Sequence, residues 1–298
     1  MSDRTTERLH PGGAGLHLAA ADDVLARLLD AQLAAVASVG PVLPALEMAA
    51  DVAGNALQTG RKMAYAGAGS SGLMALADCL ELWGTFGIPP DRTPMLFAGG
   101  AAALLHMTGA VEDDPALAAA DLARAELSKG DVVICVSASG TTPYTLAVAF
   151  GAQGAGAQII ALSNVAGSPL LAMADFPVLL DTGPELIAGS TRMGAASAQK
   201  VALNMLSVLV GIRLGHVHDG YMVNVVADNA KLMARAAGIV AAIAGVDLPA
   251  AETAVQTANG AVKPAVLIAL GSTPAQAITQ LQTTGGHLSA AMTHPKPL

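Results

Sequence analysis

The sequence predicts an α/β protein: a three-layer αβα sandwich around a mainly parallel sheet, with helices ahead of it and a small helical module behind. Three observations carry this. Short apolar runs such as "KMAYAG" and "DVVICV" alternate with segments of helical periodicity, the pattern of parallel strands joined by crossover helices. Two of these runs end in turns of glycine and hydroxyl residues that lead into a helix, "GAGSSG" (67–72) and "SASGTTP" (137–143). Alanine is abundant and aromatics make up only 3% of 298 residues, which favours close-packed helices over an aromatic-rich β-sandwich.

In the first fifty residues, "AADDVLARLLDAQLAAVASV" spaces apolar residues as a helix does and puts Asp22 and Asp23 in the first turn, where the helix dipole favours acids. A second helix is expected from about Pro44 to Leu57, ending before Gly60. "KMAYAGAG" is a buried strand and tight turn, and "SSGLMALADCLELW" a helix stopped near Gly84. "TPMLFAGG" is the next strand, and "DPALAAADLARAEL" a helix started by Asp114 and Pro115. "DVVICVSASG" is a strand followed by the helix "TPYTLAVAFGAQ", and "QIIALSN" and "FPVLLDTG" are further strands. A long helix is expected from Thr191 to about Leu214, another over "NVVADNAKLMARAAGIVAAIAG", and two or three short ones in the tail, where Ser272/Thr273 precede Pro274 as a cap. The expected division is a helical lead-in over 1–60, packed on the core or a partner, an α/β core over 61–214 and a C-terminal helical module over 215–298.

Composition narrows the function classes. Hydrophobic residues make up 53% and charged ones 13%, and the net charge is −8. There is no basic stripe of the kind that nucleic acid requires, although helix N-termini still accept small anions. Cys79 and Cys135 lack metal-ligand spacing; they are expected to be buried free thiols, in keeping with a cytoplasmic location. His106 lies in the apolar "AALLHMTG" and is expected to be buried, and His216 and His218 have no third ligand nearby in sequence, so no metal site is assigned. The N-terminal "MSDRTTERLH" lacks the apolar core of a secretory signal, and no uninterrupted apolar run reaches 18 residues, so no membrane partner is expected.

Gly67-x-Gly69-x-x-Gly72 has dinucleotide-binding spacing, which also calls for an acid ending the next strand. That strand ends "FAGG", and Asp91 lies before it. No cofactor is therefore expected. A phosphate uses more of the residues. Ser70 and Ser71 stand at a helix start, where free N–H groups and the dipole favour an anion, and Ser137, Ser139, Thr141 and Thr142 repeat the arrangement. Such hydroxyls also serve as ordinary N-caps. Two such turns on neighbouring parallel strands would face one crevice, which points to a phosphorylated ligand. In "GPELIAGSTR", Glu185, Ser190, Thr191 and Arg192 form another candidate cluster: Ser190 or Thr191 either caps the long helix or contacts a ligand, and Arg192 is suited to phosphate or carboxylate.

The two turns resemble those of the sugar isomerase (phosphosugar-binding) domain. The stretch "GPELIAGSTRMGAASAQKVALNMLSVLVGIRLG" (183–215) is similar to the signature region of N-acetylmuramic acid 6-phosphate etherases and of their distant relative, glucokinase regulatory protein; "YMVNVVADNAKL", "TFG" and "FAGG" continue the match. The resemblance implies a phosphorylated amino sugar as substrate and release of D-lactate through C2 deprotonation, elimination and water addition. It implies catalytic roles for Glu81 as general acid/base and Glu112 as a second acid/base or orienting group, with Gly69, Ser70, Ser71, Ser137, Ser139, Thr141, Thr142, Glu185, Ser190, Thr191 and Arg192 as phosphosugar-binding positions. It departs at Leu73, where the family has an arginine, and at Leu82–Gly84, where it has a proline pair. Glu81 lies ten residues after Ser71, about 15 Å along one helix, too far for one helix to serve both ends of one hexose phosphate. A homodimer with Glu81 reaching a neighbouring subunit is therefore expected. A phosphosugar sensor without turnover and an aldose–ketose isomerase are the alternative readings.

Overall fold

Burial on both faces turns the β-branched runs into strands of one parallel sheet. The computed structural model describes residues 5–225, 227 and 229–293. Its strands are β1 (Met63–Gly67), β2 (Met95–Phe97), β3 (Val132–Val136), β4 (Gln158–Ser163) and β5 (Phe176–Leu179), in the spatial order β2-β1-β3-β4-β5, all parallel. Every residue of β1 and β3 is buried. The chain leaves β1 towards β2 on one side and β3 on the other, so the switch in winding direction falls between β1 and β3, where such sheets open a crevice at the strands' carboxyl ends.

The chain divides into two compact units, 1–80 with 90–208 and 81–89 with 209–298. In the first, one sheet face is covered by α5 (Pro115–Ala125), α6 (Pro143–Gly154) and α7 (Pro169–Met173). Ala64, Ala66, Val133, Cys135 and Ile159 pack there against Tyr144, Val148 and Leu170. Asp114 starts α5 by accepting the Ala116 N–H at 2.8 Å, with Pro115 as its first residue, as the sequence predicts. The other face is met by α2 (Leu43–Gln58), which follows α1 (Ala21–Ala37).

On that second face a buried polar knot joins three elements. Tyr65 of β1 donates its hydroxyl to Asp78 Oδ2 at 2.9 Å. Asp78 belongs to α3 (Gly69–Phe86), and its Oδ1 accepts Asn204 Nδ2 at 2.8 Å and Ser207 Oγ at 3.0 Å from α8 (Gly194–Arg213). Burial raises the Asp78 pKa against the opposing pull of these donors.

The second unit holds a short hairpin, β6 (Val217–His218) and β7 (Tyr221–Met222), and the helices α9 (Ala230–Ala244), α10 (Leu248–Thr257), α11 (Val262–Ala269), α12 (Pro274–Thr283) and α13 (Leu288–Thr293). Val240, Val255, Val266 and Leu288 form its core. Asn229, Asp247 and Thr273 cap α9, α10 and α12, the last with a full capping box to Gln276.

The structure corrects several boundaries. α3 does not stop at Gly84 but runs to Phe86; an exposed glycine weakens a helix without ending it, and the turn comes at Gly87, with φ +62° and its α-carbon packed on the Asn224 carbonyl. α4 (Gly100–Leu105) and α7 were not expected, and the tail from Leu248 holds four helices rather than two or three. α9 begins only at Ala230, and Val226 and Asp228 of the helix expected there lie outside the described residues. Two segments, Ala21–Gln58 and Gly194–Arg213, are long and apolar enough to cross a membrane by length and composition; in the second, 56% of that apolar window is buried inside the fold.

Candidate functional site

Both glycine–hydroxyl turns lie at the carboxyl ends of adjacent strands. The register pairs Gly67 with Val136, which sets the turn after β1 beside the loop after β3. Gly69 opens α3 at φ +54°, a conformation that costs little only for glycine. Ser71 Oγ accepts the Ala138 N–H at 3.2 Å and so links the two turns. Within the second loop, Ser137 Oγ lies 2.8 Å from Thr142 Oγ1 and accepts the Gly140 N–H at 3.1 Å, while Ser139 Oγ accepts from the Thr141 N–H at 3.2 Å and the Thr141 hydroxyl at 3.0 Å.

These turns border a cavity of about 240 Å³, smaller than the roughly 300–1,000 Å³ of drug-sized sites and suited to a small ligand. Of the residues singled out from sequence, Ser70, Ser71, Glu112, Ser139, Thr142 and Thr191 line it. Gly69 lies directly against the Glu112 carboxylate, where any β-carbon would collide with it. Ser137 and Thr141 lie beside the cavity with their hydroxyls engaged inside the loop. Glu185 is buried and takes a different position: its two carboxylate oxygens accept the N–H groups of Gly194 and Ala195 at 2.9 and 2.8 Å, capping α8. Ser190 and Arg192 precede that helix outside the cavity lining, and Arg192 is exposed.

Glu112 is partly buried, and burial together with the neighbouring Asp113 raises its pKa. Its backbone carbonyl accepts the Tyr144 N–H at 3.1 Å, which fixes this carboxylate relative to the start of α6. Glu81 is exposed and does not line the cavity. It stands between Leu80 and Trp83, which are 69% and 54% exposed, an unusual solvent exposure for two large apolar side chains around a charged one. Among the described residues no lysine or arginine lines the cavity. An anion there would be met by backbone N–H groups, hydroxyls and the N-terminal ends of α3 and α6.

Five lining residues were not singled out from sequence: Thr6, Glu7, Ala68, Ala138 and Gly189. The Gly189 N–H donates to the Thr6 carbonyl at 3.0 Å, so the N-terminal segment reaches the cavity through a contact that spans most of the first unit's sequence. His106 is exposed, against the expectation of burial: it follows the short α4, which is too brief to bury that face. Cys79 and Cys135 are buried free thiols, each with its pKa pushed up to about 12 by burial.

The second unit has a cavity of its own, about 550 Å³, lined by Trp83, Asn224, Leu232, Lys263 and Gly286 among others. Lys263 is buried, donates to the Gly286 carbonyl at 2.8 Å, and has its pKa lowered to about 8 by burial. Nothing in the local sequence "AVKPAV" marks this lysine as buried.

Comparison with known proteins accounts for the fold. Residues 42–164 match the SIS domain family model. The chain is 44% identical over 289 residues to an N-acetylmuramic acid 6-phosphate etherase of Deinococcus radiodurans, covering 96% of this chain and 95% of that one. It is 39% identical to the protein of that name from Pectobacterium atrosepticum (86% and 84% covered) and 40% identical to that from Streptomyces avermitilis (90% and 87%). Among solved structures, a candidate phosphosugar isomerase involved in capsule formation from Bacteroides fragilis aligns with a TM-score of 0.53 at 21% identity, over 68% of this chain and 95% of that one. A phosphoheptose isomerase from Francisella tularensis aligns at 0.50 and 20% identity, over 64% and 97%. These two share the fold of the sheet and its flanking helices. With sequence identity at this level over nearly its full length, the chain belongs to the N-acetylmuramic acid 6-phosphate etherase family.

Proposed function

We propose that the protein cleaves the D-lactyl ether of N-acetylmuramic acid 6-phosphate, giving N-acetylglucosamine 6-phosphate and D-lactate. Beside the family relationship, the observation that carries this reading is Glu112 set against two hydroxyl-rich turns in one small cavity. The phosphate is bound at the Ser70, Ser71, Ser139 and Thr142 end. In the open-chain sugar, C1 is an aldehyde and the C2 proton is acidic. A base removes it, the C2–C3 double bond forms as lactate leaves with the C3–O bond pair, and water then adds across that bond. The sum is one water consumed and one ether cleaved. A carboxyl whose pKa is raised by burial retains its proton closer to neutrality, so Glu112 is suited to protonate the departing lactate oxygen.

Glu81 is the carboxylate assigned to C2. Its exposed place on α3, ten residues after Ser71, favours action in a partner's cavity, and we propose a homodimer. Leu25, Leu29 and Leu33, on one side of α1, are 66%, 59% and 60% exposed, and their spacing makes a continuous apolar stripe of the kind that self-association covers. Two buried free thiols fit a cytoplasmic site of action. The sensor and isomerase readings have no relative among the curated matches described above.

Incubation of the purified protein with N-acetylmuramic acid 6-phosphate is expected to release D-lactate, measured with a lactate dehydrogenase assay. Glu112→Gln, which keeps the shape and removes the ionisable group, is expected to lower kcat by about 10²-fold or more. Absence of lactate from the wild type at high enzyme concentration overturns the reading.

A further inference from the structure

The N-terminal strap, Thr5–Glu7, forms one wall of the cavity just described. Thr6 is 1% exposed, lines the cavity, and its Oγ1 is buried with no hydrogen-bond partner among the described residues. Buried hydroxyls are nearly always satisfied, so an unpaired one on a residue of the cavity wall is a candidate place for a missing partner. Glu7 lines the same cavity, and its carboxylate packs on Gly189. The strap is held there by the Gly189 N–H bond to the Thr6 carbonyl, 3.0 Å, and by Gly13 packing on the Leu186 carbonyl. Glu7 is solvent-exposed as a residue, so its position on the cavity is not forced by core packing.

Charge decides what this wall can meet. Glu7 and Glu112 put two carboxylates on a cavity that, among the described residues, has no lysine or arginine in its lining. A phosphate next to Glu7 would be repelled by it, whereas a sugar hydroxyl or an amide N–H would find a strong charged acceptor. The phosphate therefore belongs at the serine turns, away from the strap. We propose that Thr6 and Glu7 are substrate-binding residues: Glu7 accepts hydrogen bonds from neutral donors of the sugar, the Thr6 hydroxyl completes another, and the strap selects a sugar phosphate over phosphate alone. This rests on the phosphosugar reading of the cavity.

The test is calorimetric binding of two ligands, N-acetylglucosamine 6-phosphate and inorganic phosphate, to full-length wild type, Glu7→Gln and Thr6→Val. Wild type is expected to bind the sugar phosphate more tightly. Glu7→Gln is expected to weaken the sugar phosphate at least threefold while leaving inorganic phosphate equal or tighter, because a repelling charge is gone. A purely structural role for the strap would move both ligands in the same direction. Thr6→Val, nearly equal in shape, is expected to weaken the sugar phosphate at least threefold; if it fails to fold, Glu7→Gln alone decides. A change below threefold for Glu7→Gln, or a parallel weakening of both ligands, overturns the proposal. Wild type that binds neither ligand overturns the phosphosugar reading and this proposal together, an outcome distinct from normal wild-type binding with an unaffected variant.

Discussion

Gly69 makes two demands that no other residue meets. Its φ of +54° lies in the left-handed region, and its missing side chain leaves the space that the Glu112 carboxylate fills. Alanine there costs about 1–2 kcal/mol in backbone strain and also pushes the carboxylate out of place. The expected phenotype of Gly69→Ala is a fold that survives with a modest fall in Tm and a loss of about 10²-fold in lactate release, since a misplacement of about 1 Å at a catalytic group has that effect. Circular dichroism and initial rates measured on the same preparation check it; near-normal kcat in a folded variant would show that Glu112 tolerates displacement. The motif "GAGSSG" was legible as a strand-to-helix turn because glycine and serine carry their conformational roles locally. That Gly69 serves a carboxylate more than forty residues away was not legible, because the contact is made only once β1 and the loop leading to α5 are assembled. Glu185 illustrates the reverse: the sequence grouped it with ligand-contact candidates and offered the cap to Ser190 or Thr191, whereas it is Glu185 that accepts the N–H groups of Gly194 and Ala195.

Elements were readable in proportion to their length and to the chemistry of their ends. Strands β1, β3 and β4 are short apolar runs with no alternation, as double-sided burial requires, and α5, α10 and α12 announce themselves through Asp–Pro, Asp–x–Pro and Thr–Pro starts. α4, with six residues, and α7, with five, are too short to show a period, and Gly84 misled because propensity was weighed without exposure. Burial of single charged groups was also hidden, and in the second unit it has a measurable consequence. His216 has its pKa lowered from 6.5 to about 4 by burial first and then by Lys263, with the Phe86 backbone opposing that shift. Above pH 6.5 the folded and unfolded chains are both neutral at this position. As pH falls from about 6.5 to about 4 the unfolded chain takes up a proton that the folded one refuses, so stability is lost through that window, by about 3 kcal/mol at its lower end. His216→Gln keeps a polar side chain at this position and cannot titrate. Its Tm is expected to decline less than that of wild type between pH 7 and pH 4.5 in thermal melts, and parallel decline of the two proteins would assign the acid sensitivity to other groups.

At the scale of the whole molecule, the unresolved tension is that the two carboxylates assigned to one reaction do not share a cavity lining: Glu112 faces the phosphate turns, and Glu81 sits exposed on α3. In the proposed homodimer a two-fold axis would lend each cavity the other subunit's glutamate. The consequence is complementation. Glu81→Gln and Glu112→Gln are each expected to be inactive alone. When the two are mixed, unfolded and refolded together at equal ratio, about half the dimers are mixed, and each of these carries one cavity with both native carboxylates, so lactate release is expected to recover to about a quarter of the wild-type rate. If Glu81 instead acts within its own subunit, each subunit of every mixed dimer keeps one lesion and no activity returns. Subunit exchange is verified separately by co-purification of differently tagged variants, so that an inactive mixture with proven exchange rejects action across the interface.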